Sequence, residues 1–446
     1  MATGRVLANM ISKIKSAVTN FVHVPGVLQS VQRLIGQVAA TEAGVNHSEI
    51  RNVTYNGMTG VCFDITNDEL KETHYLLQNS AFRCHRKLPP KEGMELAARA
   101  RSTSTVQKSV RLLSTSPCLT LCFVWDELLE GGSYIGKAVF YDPAKDKIHH
   151  VPGKTIPQEL ANSKMMGSSQ GWGFFSQRSN HNSVCISDQF NPLSSSSKIK
   201  MIPLPPLTSM LFGQTKVVCN VAMSSSSPHE EDCVVAIKFF GRQLSMCKPG
   251  RDLYWTNRLI PFDCAENSNL MYSKRDQRFY LPAAGGNYLC SWDLNFDNDP
   301  KFNELVFPNF PDMPQSTWEA LDSCIREDHW VESPSGQSFL VKLYSRVGSK
   351  AATVMVLVFR EEEDQVTAKG TRNMCYTQDI GDLCIFLSKN DPFCVVASSC
   401  PGLIPNSIYM MDHSIAICEL TKGTVTRIDL PDIFPLFPFW IPPCSV

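Results

Sequence analysis

The feature that most constrains this chain is a long series of short apolar stretches beyond Cys118, each four to eight residues in length. Residues 119–124, 233–240, 353–359 and 415–420 are typical, and Val, Ile, Phe and Tyr dominate them. Such residues favour the pleated, half-buried surface of a β-strand. The pattern therefore predicts a protein built mainly from short strands.

Pairs of turn-forming residues separate these stretches, which indicates hairpins between neighbouring strands. The pairs are Asp142-Pro143, Asn191-Pro192, Pro249-Gly250, Gly285-Gly286, Ser335-Gly336, Pro401-Gly402 and Lys422-Gly423. Helices are predicted at only two places, residues 157–162 and 316–324. A parallel α/β fold is disfavoured, because it needs a crossover helix between each pair of strands.

Roughly two dozen short strands within about 320 residues need an arrangement that protects their edges, and radial blades provide it. We therefore predict an all-β fold, a β-propeller of about six four-stranded antiparallel blades, over residues 118–435. Residues 436–446 read as a Pro- and aromatic-rich C-terminal tail. Trp-Asp dipeptides occur at Trp125-Asp126 and Trp292-Asp293, without the Gly-His partners of a regular WD repeat.

Composition excludes several classes of protein. The 446-residue chain is 43% hydrophobic and 19% charged, which suits a soluble globular protein and not a disordered one. Its net charge of -1 lacks the basic excess of a dedicated nucleic-acid binder. No apolar run is long enough to span a bilayer, and no secretory signal opens the chain. The 17 cysteines contain no C-x-x-C pair, so we expect reduced, mostly buried thiols in a reducing compartment.

Two segments before the strands lack acidic residues. Residues 1–41 carry Arg5, Lys13, Lys15 and Arg33, and an apolar stripe at three- and four-residue steps predicts an amphipathic basic helix within an N-terminal extension, residues 1–95. Residues 96–117 form an Arg- and Ser-rich linker typical of transit peptides. We therefore expect import into an organelle, the mitochondrion first and the chloroplast as the alternative. If the segments are instead a docked surface helix and a solvated linker, the protein stays in cytoplasm and nucleus.

A series of ordered motifs resembles a known family. The motifs are Tyr141-Asp142-Pro143, the turn at 167–172, Asn191-Pro192-Leu193, Ile202-Pro203-Leu204-Pro205, Lys248-Pro249-Gly250-Arg251-Asp252 before Trp255, Leu270-Met271-Tyr272-Ser273 before Phe279-Tyr280, and the segments 331–336, 379–387 and 401–409. Together they resemble the plant KIB-type β-propeller family of unknown function, known largely from F-box-associated proteins. The resemblance covers residues 112–430 and is similar in detail to an organellar branch without an F-box. Residues 1–95 do not match, and no F-box pattern follows Leu88-Pro89 there.

One motif suggests a nucleophile. Residues 167–171 fit G-x-S-x-G with Ser169 at its centre, and His413 lies far downstream. A nucleophile elbow needs a strand before it and a helix after it. Here Trp172, Phe174 and Phe175 predict a second strand, so we interpret the segment as a hairpin turn.

Two more motifs are incomplete. Residues 131–137 nearly match a P-loop, but Ala138 replaces the Ser or Thr that holds magnesium and a strand follows, so a hairpin is favoured. Acidic and amide residues stand at the positions of a calcium loop: Asp293, Asn295, Asp297, Asp299 and Glu304. Asn298 occupies the position that needs Gly, which favours an acidic connecting loop and leaves weak calcium binding as an alternative.

The remaining polar clusters carry no assigned chemistry. His149-His150 and Cys84-His85 lack a third ligand at metal spacing. The serine runs at 224–227 and 194–197 read as exposed mobile loops. We therefore assign no catalytic, cofactor-binding or metal-binding residue and expect no cofactor.

The sequence favours a non-enzymatic propeller, a monomeric scaffold that presents loops to a protein partner. We expect it neither to bind nucleic acid nor to span a membrane. Two alternatives stay open. One is a substrate receptor of a ubiquitin ligase, which the wider family implies. The other is an enzyme whose ligand site lies in the propeller channel.

Overall fold

The computed structural model describes residues 50–56, 60–65, 116–178, 182–191, 199–208, 218–262, 267–283, 285–296, 299–346, 353–362, 370–411, 415–428 and 438–443, with backbone alone for the first two ranges. The chain divides into two compact units. The first contains Met1–Glu95 with Arg346–Ala352, and the second contains Leu96–Ser345 with Thr353–Val446.

The first unit contains one described hairpin. Strand β1, Ile50–Asn56, pairs antiparallel with β2, Gly60–Ile65, and Val53 lies opposite Phe63. The predicted amphipathic helix and most of the Arg- and Ser-rich linker lie outside the described residues, so both stay predictions.

Short strands make up nearly all of the second unit. They are β3 Cys118–Leu128, β4 Tyr134–Asp142, β5 Lys147–Ile156, β6 Ser163–Ser169, β7 Trp172–Gln177, β8 Val184–Ser187, β9 Met201–Pro203, β10 Val218–Met223, β11 Val235–Phe239, β12 Gln243–Cys247, β13 Thr256–Leu259, β14 Ser268–Asn269, β15 Met271–Ser273, β16 Arg278–Pro282, β17 Tyr288–Trp292, β18 Lys301–Val306, β19 Ile325–Glu332, β20 Ser338–Ser345, β21 Thr353–Glu362, β22 Thr371–Thr377, β23 Leu383–Leu387, β24 Phe393–Val396, β25 Ser407–Met411, β26 Ile415–Glu419, β27 Thr424–Ile428 and β28 Trp440–Ile441. The described helices are α1, Gln158–Ala161, and α2, Gln315–Asp322, at the two predicted places. Neither helix is long and apolar enough to cross a membrane.

The strands form six successive blades. Blade 1 has the order β28-β3-β4-β5, blade 2 contains β6 to β9, and blade 3 contains β10 to β13. Blade 4 contains β15 to β18, blade 5 contains β19 to β22, and blade 6 contains β23 to β27. The predicted all-β propeller is confirmed.

Two details differ from uniform four-stranded antiparallel blades. Blade 6 has five strands, and its β23 and β25 run parallel because the short β24 and a 3-10 turn carry the chain back between them. Blades 4 and 5 share one continuous sheet, since β18 pairs parallel with β22. Strand β14 also pairs parallel with β19.

The hydrophobic core consists of six clusters, and each lies between two neighbouring blades. Successive residues of one strand enter successive clusters: Phe175 packs between blades 1 and 2, and Phe174 between blades 2 and 3. In blade 6, Ile385 packs towards blade 5 and Phe386 towards blade 1. Because strand side chains alternate in direction, each blade buries both of its faces. The sixth cluster joins blade 6 to blade 1, so the blades form a closed ring.

The C-terminal residues complete the first blade. Strand β28 pairs antiparallel with β3, with Trp440 opposite Leu119 and Ile441 opposite Cys118. The side chain of Trp440 is fully buried between blades 6 and 1. The sequence-based boundary at residue 435 therefore separated from the propeller a segment that is one of its strands.

Thirteen of the cysteines lie in the described part of the chain, and none of these forms a disulfide. Nine are buried, which agrees with the prediction of mostly buried thiols. Burial raises the pKa of Cys290, Cys384 and Cys394 to about 12. Their thiols are therefore protonated and unreactive at neutral pH.

Candidate functional site at the propeller axis

A short loop of blade 6 lies on the axis of the propeller. This axial loop, residues 388–391, lies in the connection between β23 and β24. Asn269 Nδ2, at the entrance to blade 4, donates to the carbonyls of Ser388 at 2.8 Å and Asn390 at 3.2 Å. Asn390 Nδ2 donates to the carbonyl of Trp440 in blade 1 at 3.1 Å. A loop can contact blades on both sides of the ring only where the blades converge.

Ser169, the centre of the G-x-S-x-G motif, also meets this loop. It ends β6, and the residues that follow, Gln170 and Gly171, have positive φ and turn the chain directly into β7. The interpretation as a hairpin turn is confirmed. The buried Ser169 Oγ donates to Asp391 Oδ2 at 3.0 Å and accepts from the Met223 backbone N–H at 2.9 Å. This hydroxyl joins blades 2, 3 and 6.

Asp391 is the buried carboxyl of this arrangement. Burial raises its pKa to about 7, and the hydrogen bond from Ser169 and the charge of Lys274 oppose that rise. His413, the base considered for Ser169, lies outside the described residues. Ser169 and Asp391 therefore form a structural hydrogen bond in which the carboxyl titrates near neutral pH.

A second polar pair lies on β19 of blade 5. Glu327 and His329 are two residues apart, so their side chains share one face of the strand, and Glu327 Oε2 is 3.5 Å from His329 Nε2. The imidazole is buried, whereas the Glu327 side chain is 45% exposed. His329 Nε2 faces Glu327, and His329 Nδ1 has no hydrogen-bond partner among the described atoms.

The charges around Glu327 come from several blades. Burial raises the pKa of this carboxyl, but His329, Lys389 of the axial loop and Lys238 of blade 3 outweigh burial and hold the pKa below its ordinary value. Asn269, which donates to the axial loop, lies opposite His329 in the β14–β19 pairing, so the pair lies close to that loop. Sequence reasoning missed this pair, because the predicted strand began only at Trp330, whereas the strand in the structure begins at Ile325.

The near-P-loop forms the turn of the β3–β4 hairpin, as expected. Ser133 O accepts from the Leu129 N–H at 2.8 Å, and Gly132 has a φ of 80°. The sequence that resembles a calcium loop connects strands β17 and β18. Asp293 Oδ1 there accepts from the N–H groups of Asn295 at 3.3 Å and Phe296 at 3.0 Å, while Asp297 is not among the described residues. In the described part of the chain, no three His, Cys, Asp or Glu side chains lie close enough together to hold a metal ion.

The other polar motifs stay separate from the axis. His149 and His150 are neighbours on β5 and lie opposite different residues of β4. The serine run at 224–227, predicted as an exposed mobile loop, is partly exposed and makes hydrogen bonds. Ser224 Oγ accepts from the Val234 N–H at 2.8 Å, and Ser226 O accepts from Trp172 Nε1 at 2.9 Å. Cys84-His85 and the run at 194–197 lie outside the described residues.

Comparison with known proteins identifies the same architecture. The family model described as "KIB1-4 beta-propeller" matches residues 140–432, well over half of the chain. No curated protein shows significant sequence similarity to the chain.

Several solved structures are similar in outline. A putative 6-phosphogluconolactonase from Bacteroides uniformis is 8% identical, with a TM-score of 0.32, and the match covers 73% of this chain and 100% of that one. Apo AztD from Citrobacter koseri is 8% identical, with a TM-score of 0.31 over 58% and 75% of the two chains. Hsv2 from Kluyveromyces marxianus is 12% identical, with a TM-score of 0.28 over 55% and 68%. These similarities are too weak to bear on function.

Proposed function

Because the chain belongs to the KIB1-4 β-propeller family, we propose that it is a non-enzymatic, monomeric scaffold that binds a protein partner through loops at the ends of its blades. The observation that carries this proposal is the exposure of large apolar side chains on connecting segments that are themselves hydrogen-bonded. Leu253, Tyr254 and Phe310 are examples. Such side chains are the usual anchors of protein interfaces.

The residues at the propeller axis favour a structural role in a binding protein over a role in catalysis. Ser169 has its hydroxyl committed to Asp391 and to a backbone N–H, and the axial loop is bonded to blades 1 and 2 and to strand β14. A nucleophile would need an accessible hydroxyl next to a base and an oxyanion site. The same groups serve well as ties that hold the ring in one shape.

Proximity labelling tests the partner. The full chain fused to a labelling enzyme should enrich a small, reproducible set of proteins. The control is the same enzyme without the chain, directed to whichever compartment the fusion reaches. Chemical cross-linking of the purified chain to the enriched protein should then join residues in blade-end loops. Cross-links confined to the axis, or no enriched protein at all, would contradict the proposal.

We also propose import into the mitochondrion, supported by the acid-free, basic residues 1–41 and 96–125. A fluorescent fusion of the full chain, and one that begins at Met94, should both reach the organelle. The mature protein should then begin after Arg111. Fusions that stay in cytosol and nucleus would refute the proposed compartment, and plastid import would favour the alternative organelle.

The Glu327–His329 pair favours a second candidate function, a small-molecule site at the axis. The partly exposed carboxylate of Glu327 can accept a hydrogen bond from a ligand, and the unpartnered Nδ1 of His329 can donate or accept one. A thermal-shift panel of small carboxylates and phosphates tests it. Stabilisation of the wild type that disappears in His329→Ala would support the site, and no stabilisation by any compound would leave the scaffold function alone.

A further inference from the structure

The loops at one end of blade 3 form a surface that we name the blade 3 tip, residues 224–234 and 248–255. Met223, Val235 and Cys247 lie opposite one another on neighbouring strands. The loop between Met223 and Val235 and the loop after Cys247 therefore leave the sheet at the same end. An ion pair links the loops directly, with Arg251 Nη1 2.7 Å from Glu231 Oε1. The tip is therefore one continuous surface.

Two adjacent side chains dominate this surface. Leu253 is 77% exposed and Tyr254 is 75% exposed, the largest values among the exposed large apolar residues of the described chain. Side chains of this kind are normally placed in contact with other atoms, because each leaves substantial apolar area in water. Their position side by side makes a bulky, partly polar protrusion suited to a pocket on another molecule.

The backbone that carries them is fixed on both sides. Before them, Gly250 has a φ of 71°, and the Lys248 N–H donates to Asp252 Oδ2 at 2.7 Å to close a tight turn. After them, Trp255 is buried, and its Nε1 donates to the Pro205 carbonyl of blade 2 at 2.6 Å. The protrusion is thus held in place before any partner arrives, which lowers the entropy lost on binding.

The charge around the protrusion selects the partner. The tip has four acidic residues, Glu230, Glu231, Asp232 and Asp252, against two basic ones. Arg251 pairs with Glu231 at 2.7 Å and Lys248 with Asp232 at 3.8 Å, so two carboxylates remain in excess. The formal charge of -2 on the tip exceeds the net charge of -1 for the whole chain. An anionic lipid surface would be repelled, whereas Lys and Arg beside an apolar contact would be attracted.

We propose that the blade 3 tip is a docking site for a protein segment in which Lys or Arg residues flank an apolar centre. This inference rests on the proposed scaffold function and specifies where the partner binds and what kind of segment it presents. Leu253 and Tyr254 enter the apolar centre of the partner. The excess negative charge of the tip attracts the basic flanks of the partner.

Peptide selection on the full chain tests the proposal. A phage library of random peptides of about twelve residues is selected on the wild type and depleted on the double variant Leu253→Ser/Tyr254→Ser. We expect a consensus of Lys or Arg around Leu or an aromatic residue. The synthetic consensus peptide should bind the wild type in fluorescence anisotropy and bind the double variant about tenfold or more weakly.

A matched control lies on blade 4. Tyr288 and Phe302 are also exposed and apolar, so Tyr288→Ser/Phe302→Ser removes similar side chains elsewhere and should leave peptide affinity unchanged. Asp232→Lys should weaken binding severalfold and reduce its dependence on salt between roughly 50 and 300 mM. Circular dichroism and melting temperature confirm that each variant is folded.

Several results would overturn the proposal. The selected peptides could have an acidic consensus or no consensus at all. The consensus peptide could also bind the double variant as tightly as it binds the wild type. A dimer in analytical ultracentrifugation that dissociates in the double variant would assign the tip to a second copy instead. If a partner found by proximity labelling still binds the double variant, the tip fails while the scaffold function stands.

Discussion

Asp391 is a buried carboxyl whose pKa of about 7 makes it a source of pH dependence at the residue scale. Folding favours the protonated form of Asp391. Its contribution to the free energy of unfolding is therefore greatest below the unfolded-state pKa near 4 and is lost as the pH rises through about 7. Each unit of pKa shift corresponds to about 1.4 kcal/mol, so the loss is about 2–4 kcal/mol.

Asp391→Asn removes that titration and keeps an oxygen to accept from Ser169. The free energy of unfolding of the wild type, relative to that of the variant, should fall by about 2–4 kcal/mol between pH 5 and pH 8. Urea denaturation at several pH values measures it. Asp379→Asn, which removes an exposed carboxylate, is the control. A constant difference between wild type and Asp391→Asn from pH 5 to pH 8 would show that Asp391 does not titrate there.

Gly402 is required where blade 6 approaches blade 1. Its φ is 106°, and an added Cβ would lie 2.0 Å from the carbonyl oxygen of Ala144. Gly402→Ala should therefore cost about 3 kcal/mol or more, from positive-φ strain and a backbone clash together. Gly423 also has positive φ but open space around its Cβ position, so Gly423→Ala should cost only about 1–2 kcal/mol. Equal losses in chemical denaturation would contradict the proposed close contact.

Sequence reasoning identified Ser169 but could not find its partner. The residues after it, Trp172 and Phe174, predicted a strand, and this local pattern sufficed to interpret the motif as a turn. Asp391 lies 222 residues away, and no periodicity connects two positions at that distance. The pairing becomes visible only when the ring brings blades 2 and 6 to the same axis.

Arg372 joins two blades at the scale of elements. From β22 it donates to Glu361 Oε1 at 2.9 Å, to Asp276 Oδ2 at 3.2 Å and to the Tyr280 hydroxyl at 2.6 Å. Its guanidinium also lies 5.1 Å from the centre of the Tyr280 ring. These contacts reinforce the parallel pairing of β18 with β22, which unites blades 4 and 5.

Arg372→Met should destabilise the protein by about 2–3 kcal/mol, because it leaves two carboxylates with fewer partners in a largely buried place. Arg360→Met is the matched control. Arg360 pairs with Glu362 at 3.3 Å on the exposed surface, so its loss should cost less than about 0.5 kcal/mol. Urea denaturation at neutral pH compares the two variants. Similar losses for both would mean that the buried network adds nothing beyond a surface ion pair.

Most strands could be predicted from the sequence because their side chains are buried on both faces of a blade. Each blade buries both faces, so a strand such as residues 383–387 is a continuous apolar stretch and is easy to recognise. Strand β28 was missed because its two residues lie among prolines and show no periodicity. The parallel β23–β25 pair was missed because consecutive strands with tight turns normally predict antiparallel neighbours.

At the scale of the whole molecule, stability depends on ring closure. Six clusters between six blades mean that every blade needs both neighbours to cover its faces. The closing contact is made by β28, whose Trp440 is buried and whose carbonyl accepts from Asn390 of the axial loop. The same strand therefore seals the ring and positions the residues at its axis.

Trp440→Ala should lower the free energy of unfolding by about 3–5 kcal/mol, the cost of a large cavity between blades 6 and 1. Trp125→Ala is the control: Trp125 is 44% exposed on β3, so its removal should cost about 1 kcal/mol or less. Because β28 also holds the axial loop, Trp440→Ala should increase amide hydrogen exchange at residues 388–391 as well as in β3, whereas Trp125→Ala should not. If both variants are equally stable, or if exchange rises only in β3, closure by β28 does not govern the axis, and the ring must be held by the remaining contacts between blades 6 and 1.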